Sequence, residues 1–249
     1  PRGVRMADDV LERYTRDYIT SQAGANVTFA WQGGEPTLLG VDFFRRAVAL
    51  QKRHADGKTI SNTIQTNGIL LDDAWGDFLA QEQFLVGISI DGPGELHDAY
   101  RVGKGGQPTF ERVMKSIRLL KEHAVEFNTL TCVHRRNSGS PLEVYRFLRE
   151  IGSGFMQFIP IAERQRVKGA GPHELVSPEY PGRARVTEWS VEPGSYGTFL
   201  TTIFDEWVRR DVGRVFVQLF DVSLEIWSGF APSLCVFREE CGDALALEH

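Results

Sequence analysis

The segment Val27-Thr28-Phe29-Ala30-Trp31 runs directly into Gln32-Gly33-Gly34-Glu35-Pro36-Thr37. The β-branched and aromatic residues of the first part predict a strand, and the paired glycines that follow permit a turn that other residues rarely adopt. Four similar strand patterns follow, at residues 61–65, 84–90, 126–133 and 155–159. The segments between them show helix-period patterns, at residues 41–54, 71–81, 110–123 and 141–150. Strands that alternate with amphipathic helices predict an α/β fold with parallel strands, and we favour a barrel over an open sheet.

The two ends of this alternation are irregular. A helix pattern at residues 8–21 precedes the first strand, whereas a barrel of this kind normally opens with a strand, so we expect a first strand to be missing from the chain. Residues 162–193 contain four prolines, and we predict a long loop without strands there. Helix patterns resume at 195–210 and 219–227, and Thr109 is predicted to cap the helix at 110–123.

Composition excludes several classes of protein. The 249 residues carry 28 Lys and Arg against 33 Asp and Glu, a net charge of −5, and the charges are interspersed, which argues against a nucleic-acid partner. No apolar run reaches the roughly 20 residues of a membrane span, and no secretory signal is visible, so we expect no membrane partner. The three cysteines are too few and too unevenly spaced for a disulfide framework, which predicts a reducing, cytoplasmic compartment.

Polar residues follow the predicted strands, at the strand ends where α/β barrels build their sites. Gly33 and Gly34 let a ligand approach the main chain, although an ordinary tight turn explains them equally well. Ser89 and Arg101 can grip a carboxylate, because a guanidinium matches it bidentately, or they can belong to a solvated surface loop. Cys132, as a single strand cysteine, is more often a small buried apolar residue than a nucleophile.

Cys235 and Cys241 form a Cys-x5-Cys pair near the end of the sequence. Two thiolates on a loop suit zinc or an iron–sulfur cluster, both of which usually take four ligands. Two unrelated free thiols are an equally weighted reading of these residues alone.

Several longer strings together resemble one family. They are Phe29 to Thr37 (FAWQGGEPT), Gln65 to Gly68 (QTNG), Gly87 to Pro93 (GISIDGP), Gln157 to Pro160 (QFIP), and Cys235-x5-Cys241-Gly242. In this order and spacing they resemble the anaerobic sulfatase-maturating enzymes, radical S-adenosylmethionine (AdoMet) enzymes of the branch with a C-terminal SPASM extension. The resemblance runs from about residue 6 to residue 249. The Gly-Gly-Glu-Pro string alone is shared widely across the superfamily and indicates the cofactor fold more than the reaction.

The resemblance implies a partial (β/α)6 radical-SAM barrel whose first strand is missing from the chain. It divides the sequence into a partial barrel at 1–165, a loop and helical linker at 166–230, and the start of a truncated SPASM auxiliary-cluster domain at 231–249. The family's Cys-x3-Cys-x2-Cys loop and its proposed catalytic Asp lie outside these residues. We therefore expect no catalytic residue in this chain, and we expect a fragment that is inactive alone.

The resemblance also implies the activity, an oxidation of a sulfatase Cys or Ser to Cα-formylglycine. The implied cofactors are AdoMet, a catalytic [4Fe–4S] cluster and auxiliary [4Fe–4S] clusters. The implied partners are an unfolded sulfatase polypeptide and an electron donor such as flavodoxin or ferredoxin. Cys235 and Cys241 match ligands of the first auxiliary cluster. The predicted AdoMet-binding residues are Gln32, Gly33, Gly34, Glu35, Thr66, Asn67, Ser89, Arg101 and Ile159, the last beside Pro160.

Two other readings stay open at this point. One is another SPASM-type radical AdoMet enzyme that matures a different peptide, for example by forming a thioether crosslink. The other is a non-catalytic barrel that binds a nucleotide-like ligand or a partner protein.

Overall fold

A computed structural model describes residues 6–167 and 175–240. These residues form two compact units: unit 1 comprises residues 6–88, 112–128 and 222–240, and unit 2 comprises residues 89–111, 129–167 and 175–221. The helices are α1 (Asp8–Ser21), α2 (Val41–His54), α3 (Asp73–Gln81), α4 (Gly94–His97), α5 (Phe110–Glu122), α6 (Pro141–Glu150), α7 (Pro193–Arg210) and α8 (Gln218–Trp227). The strands are β1 (Asn26–Trp31), β2 (Thr59–Thr66), β3 (Leu85–Ser89), β4 (Phe127–Val133), β5 (Phe155–Pro160), β6 (Arg164–Arg166), β7 (Ala184–Val186) and β8 (Phe216–Val217). Short 3₁₀ turns cover Pro36–Leu39 and Cys235–Phe237.

The predicted α/β alternation is confirmed. All five predicted strands and all seven predicted helices are present, each with ends within about two residues of the predicted bounds, the usual uncertainty of helix and strand ends. The prediction of no strands in residues 162–193 is wrong, because β6 and β7 form an antiparallel pair there. Each strand has only three residues: β6 reads Arg164-Gln165-Arg166 and has no apolar residue, and β7 is too short for its alternation to stand out from the sequence around it.

In unit 1 the strands are parallel and follow the order β1-β2-β3. One face of this sheet is apolar: Val27, Phe29, Ile64 and Val86 are each 3 % exposed or less. Tyr18 of α1 packs edge-on against Phe29, with ring centroids 4.9 Å apart. The helices therefore cover this face, as the amphipathic patterns of α1 and α2 require.

In unit 2 the parallel order is β4-β5-β8. Phe158 of β5 packs edge-on against Phe199 of α7 at 5.3 Å, and Trp207 of the same helix is fully buried. The indole Nε1 of Trp207 donates to the Val215 carbonyl oxygen at 2.7 Å, which satisfies its polar atom in the core. Strands β3 and β4 contribute residues to both units.

Helix α5 begins with a cap that the sequence does not predict. Asp98 Oδ1 accepts hydrogen bonds from the backbone N–H groups of Thr109 (2.7 Å) and Phe110 (3.0 Å). The Thr109 hydroxyl, predicted to be the cap, instead donates to the Arg101 carbonyl oxygen at 2.6 Å. A carboxylate supplied from the preceding loop therefore caps this helix. None of the helices in the described part of the chain is long and apolar enough to cross a membrane.

The glycine in the middle of α3 makes room for a histidine. A Cβ added at Gly76 would lie 2.5 Å from Cδ2 of His123, whose ring nitrogens face Asp77 (3.2 Å) and Asp73 (3.5 Å). Alanine in place of a helical glycine normally stabilises a protein by about 1 kcal/mol. At Gly76 the added methyl must displace the imidazole from both carboxylates, and this offsets the helix-propensity gain.

A double-mutant cycle tests this packing. We expect Gly76→Ala to leave the free energy of unfolding unchanged or lower in the unmodified chain, and to raise it by about 1 kcal/mol in the His123→Ala background. Urea titrations followed by circular dichroism measure both values. An equal gain in the two backgrounds would show that the imidazole does not constrain position 76.

Candidate functional site

The carboxylate of Glu35 ties the loop after β1 to the end of β2, within unit 1. Its Oε1 accepts from the Thr37 backbone N–H (3.1 Å), the Thr37 hydroxyl (2.5 Å) and the Thr66 hydroxyl (2.7 Å). Its Oε2 accepts from the Asn67 backbone N–H at 2.8 Å. Four protein donors therefore already engage this carboxylate, and its primary effect is to hold the loop in place.

The main chain of the double glycine is open to solvent. Gly33 has φ +94° and Gly34 has φ +57°, both in the region that glycine adopts most readily, and a Cβ added at either would meet no atom within 4 Å. Gln32 is also exposed. Of the predicted contacts in this loop, the backbone at 33 and 34 is accessible to a ligand, while the Glu35 side chain is occupied.

Thr66 and Asn67 lie together beside this loop, but they differ in accessibility. Thr66 is 2 % exposed, and its hydroxyl donates to Glu35 while accepting from the Gly68 N–H at 3.0 Å. Asn67 is partly exposed, and its Oδ1 accepts from the Ile69 N–H at 3.0 Å. Thr66 therefore supports the loop from inside, and Asn67 is the more accessible of the two.

A second polar group lies at the strand ends of unit 2, around the buried carboxylate of Asp91, whose side chain is 2 % exposed. Its Oδ2 accepts from Arg101 Nε at 2.6 Å, and its Oδ1 accepts from the Cys132 backbone N–H at 2.8 Å. Asn137 Nδ2 donates to the carbonyl oxygens of Asp91 (3.0 Å) and Cys132 (2.9 Å). The carboxylate thus satisfies the condition for a buried charge, which is a paired and hydrogen-bonded partner.

Arg101 is held by both its side chain and its main chain. Its Nη2 donates to Cys132 Sγ at 3.4 Å, and its backbone N–H donates to the His97 carbonyl oxygen at 3.0 Å. Burial acts to lower the pKa of Arg101, but the facing Asp91 carboxylate raises it, so the guanidinium stays charged. Burial, followed by the charge of Asp91, raises the pKa of the Cys132 thiol. Cys132 is therefore a neutral hydrogen-bond acceptor here and not an activated nucleophile.

Two buried histidines complete this group. The Thr109 hydroxyl donates its proton to the Arg101 carbonyl, so the contact between His97 Nε2 and Thr109 (3.1 Å) requires that Nε2 carry the hydrogen. His97 Nδ1 then accepts from the Asp91 N–H at 3.3 Å. Burial lowers the pKa of His97 to about 4, and burial also lowers the pKa of His134, which packs edge-on against Tyr100 at 4.6 Å. Both rings are neutral near pH 7.

The remaining predicted site residues are distributed as follows. Ser89 is partly buried at the end of β3, and Ile159 near the end of β5 is 42 % exposed. Cys235 is exposed in a 3₁₀ turn, whereas Cys241 lies outside the described residues. Across residues 6–167 and 175–240, no group of three or more His, Cys, Asp or Glu side chains is arranged to hold a metal ion.

Sequence reasoning missed Asp91 and Asn137 as members of this group. Asp91 follows β3 in an Asp-Gly-Pro turn, which is a recognisable signal for a strand-end carboxylate. Asn137 carries no signal, because its role depends on the turn after β4, which brings its amide to two carbonyl oxygens.

Comparison with known proteins identifies the class that this fold and these strand ends define. Residues 1–148 match the Radical SAM superfamily, and the chain belongs to that superfamily.

Among its relatives is a serine-type anaerobic sulfatase-maturating enzyme of Bacteroides thetaiotaomicron, 44% identical over 98% of this chain and 58% of the relative. A cysteine-type anaerobic sulfatase-maturating enzyme of Clostridium perfringens is 35% identical over 95% of this chain and 60% of that relative. A solved structure, native anSMEcpe with bound AdoMet and Kp18Cys peptide, is 35% identical with a TM-score of 0.79, over 94% of this chain and 61% of that one. The chain thus spans about three-fifths of the length of these relatives.

The neutral state of His97 makes stability depend on pH. The unfolded chain protonates this histidine near pH 6.5 and the folded chain near pH 4, so the unfolded state binds more protons between these values. We expect the free energy of unfolding to fall as the pH is lowered through this window, by on the order of 3 kcal/mol from His97. In His97→Gln, which keeps a donor toward Thr109, this decline is smaller. Urea unfolding at pH 7, 5.5 and 4 measures the free energy of unfolding of both proteins. Identical pH profiles would contradict the assignment of this decline to His97.

Proposed function

We propose that this chain is the AdoMet-binding part of a radical SAM oxidoreductase that oxidises a Cys or Ser residue of a sulfatase to Cα-formylglycine. The observation that carries the proposal is the exposed main chain of Gly33 and Gly34, braced by Glu35, in a member of the radical SAM superfamily. The relatives of both the serine type and the cysteine type support the sulfatase substrate. Because the chain spans 58% of the Bacteroides relative, the activity is proposed for the complete gene product.

The residues of this chain fit AdoMet. In unit 1, the Gly33 and Gly34 main chain can approach the ammonium group of the ligand's methionine moiety, because no side chain stands over it. Gln32 and Asn67 supply exposed or partly exposed amides beside that loop. Bound AdoMet supplies the group that removes a hydrogen atom from the β-carbon of the target residue.

Three predicted AdoMet-binding residues belong to unit 2, and we propose each of them singly, from its own chemistry. The charged guanidinium of Arg101 is suited to the methionine carboxylate. Ser89 is proposed as a second donor to that carboxylate, and the exposed Ile159 as an apolar border of the adenine. Each of these roles is a proposal about one residue and stands on that residue's own exposure and chemistry.

The catalytic [4Fe–4S] cluster does not fit the cysteines of this chain. The sequence holds three cysteines and no Cys-x3-Cys-x2-Cys string, and Cys132 faces Arg101. For the complete gene product we propose auxiliary-cluster ligation by Cys235 and Cys241.

The proposed reaction requires a polypeptide substrate and a redox partner. The oxidation of Ser removes two hydrogen atoms, and the oxidation of Cys removes two hydrogen atoms before water replaces the sulfur. We propose an unfolded sulfatase segment as the substrate and a small electron-transfer protein such as flavodoxin or ferredoxin as the redox partner. We also propose a cytoplasmic location, where free thiols remain reduced.

Glycine substitutions test AdoMet binding at the loop. We expect Gly33→Ala to raise the dissociation constant for AdoMet about tenfold, because it strains the backbone and places a methyl over the exposed main chain. The matched control is Gly57→Ala, at φ +78° with equally open surroundings after α2. It imposes similar strain and should leave binding unchanged. Equilibrium dialysis measures both constants, and equal effects of the two substitutions would remove the loop from the binding site.

The activity is tested on the complete gene product that contains these residues, purified and reconstituted with iron and sulfide without oxygen. The protein is incubated with reductant, AdoMet and sulfatase-signature peptides carrying Cys or Ser at the target position. We expect release of 5′-deoxyadenosine and an aldehyde in at least one peptide, detected by mass spectrometry. Deoxyadenosine without the aldehyde would favour a radical enzyme for another peptide, and neither product would contradict the proposed function.

A further inference from the structure

The guanidinium group of Arg101 is engaged by the protein along one of its two donor edges. The edge formed by Nε and Nη2 faces Asp91 Oδ2 (2.6 Å) and Cys132 Sγ (3.4 Å). Among the described residues, no acceptor pairs with Nη1, and the side chain is 24% exposed. The edge formed by Nη1 and Nη2 therefore keeps donors available for a ligand.

The groups that hold this edge are themselves fixed. The second oxygen of the Asp91 carboxylate accepts from the Cys132 backbone N–H, and the main chain of Asp91 is held by His97 and Asn137. The Arg101 carbonyl accepts from the Thr109 hydroxyl. Rotation of the guanidinium would break the pair with a carboxylate that is 2 % exposed, which is costly for a buried charge.

We propose that Asp91 and Cys132 are positioning residues, which turn the Nη1–Nη2 edge of Arg101 toward the carboxylate of the methionine moiety of AdoMet. This inference rests on the proposed function and deepens it. A carboxylate accepts two parallel hydrogen bonds from such an edge, and the bidentate geometry requires a fixed guanidinium plane. Asp91 also neutralises the charge of Arg101 before the ligand binds. The site therefore recognises a carboxylate by the direction of the Nη1 and Nη2 donors of Arg101.

The competing explanation is that the Asp91–Arg101 pair only stabilises the fold. In that case, breaking the pair affects every ligand of the protein equally. If Asp91 positions Arg101, breaking the pair weakens the binding only of ligands that carry the carboxylate. Decarboxylated S-adenosylmethionine keeps the adenosine, the sulfonium and the amino group and lacks that carboxylate, so it separates the two explanations.

The experiment measures the dissociation constants of AdoMet and of decarboxylated S-adenosylmethionine by equilibrium dialysis, with the complete gene product prepared without oxygen. We expect Asp91→Asn to weaken AdoMet binding about tenfold and to change binding of the decarboxylated compound by less than about twofold. Cys132→Ala removes the acceptor for Nη2, so it should weaken AdoMet binding by a smaller factor than Asp91→Asn does and change binding of the decarboxylated compound by less than about twofold. The matched control is Asp211→Asn, which disrupts another buried carboxylate that faces an arginine, Arg149 at 3.4 Å, and should leave both constants unchanged.

The outcomes distinguish the two proposals. Equal weakening of both ligands by Asp91→Asn, or weakening of neither, would overturn the positioning role while AdoMet binding by the unmodified protein still supports the proposed function. Absence of AdoMet binding by the unmodified protein would contradict the proposed function itself. If circular dichroism shows that Asp91→Asn does not fold, Arg101→Lys takes its place. Lysine keeps the charge but lacks the two-donor edge, so it should lose the preference for AdoMet over the decarboxylated compound, and a retained preference would overturn the inference.

Discussion

Parallel pairing of short strands is the constraint on which the candidate site depends. Within each unit, parallel strands end at the same edge of the sheet, so residues that follow different strands lie close together although they are distant in sequence. Glu35 and Asn67 meet in this way after β1 and β2, although they are 32 positions apart in the sequence. In unit 2, Asp91 and Cys132 are 41 positions apart in the sequence, and the Cys132 backbone N–H donates to the Asp91 carboxylate. Strand pairing brings these polar residues together, and the carboxylates of Glu35 and Asp91 then hold the neighbouring backbone through hydrogen bonds.

Two buried or partly buried carboxylates organise the strand ends by similar means. Glu35 and Asp91 both accept hydrogen bonds from a backbone N–H at the end of the next strand. Each therefore satisfies its own hydrogen-bonding needs and at the same time fixes a loop. They differ in their other partners. Glu35 is surrounded by neutral hydroxyl and amide donors, whereas Asp91 faces a guanidinium. Glu35 fixes the main chain of the loop after β1, and Asp91 orients the side chain of Arg101.

The elements of this fold that have strong periodicity could be predicted from the sequence. Helices such as α2 present one apolar face, and strands such as β1 carry β-branched and aromatic residues between turn signals, so their positions follow from local pattern. The β6–β7 pair and the two-residue strand β8 could not, because they are too short to show a pattern and exist through pairing with other segments. Family resemblance predicted the loop at 32–35 and Arg101 as contacts of AdoMet, and these stay predictions. It did not identify the cap on α5 or the role of Asn137, which depend on turns that bring a side chain to distant backbone groups.

The compensated charge of Arg101 has a consequence for ionic strength. An exposed, unpaired arginine attracts anions over a distance comparable with the Debye length, and added salt screens that attraction. Arg101 shares its charge with a carboxylate 2.6 Å from its Nε, so the pair carries little net field into the surrounding solvent. Any anion that it binds is therefore selected at contact, and nucleotides or phosphates abundant in a cell gain little from long-range attraction to it. Anion binding at this guanidinium is therefore largely insensitive to the salt concentration and depends on the direction of its donors.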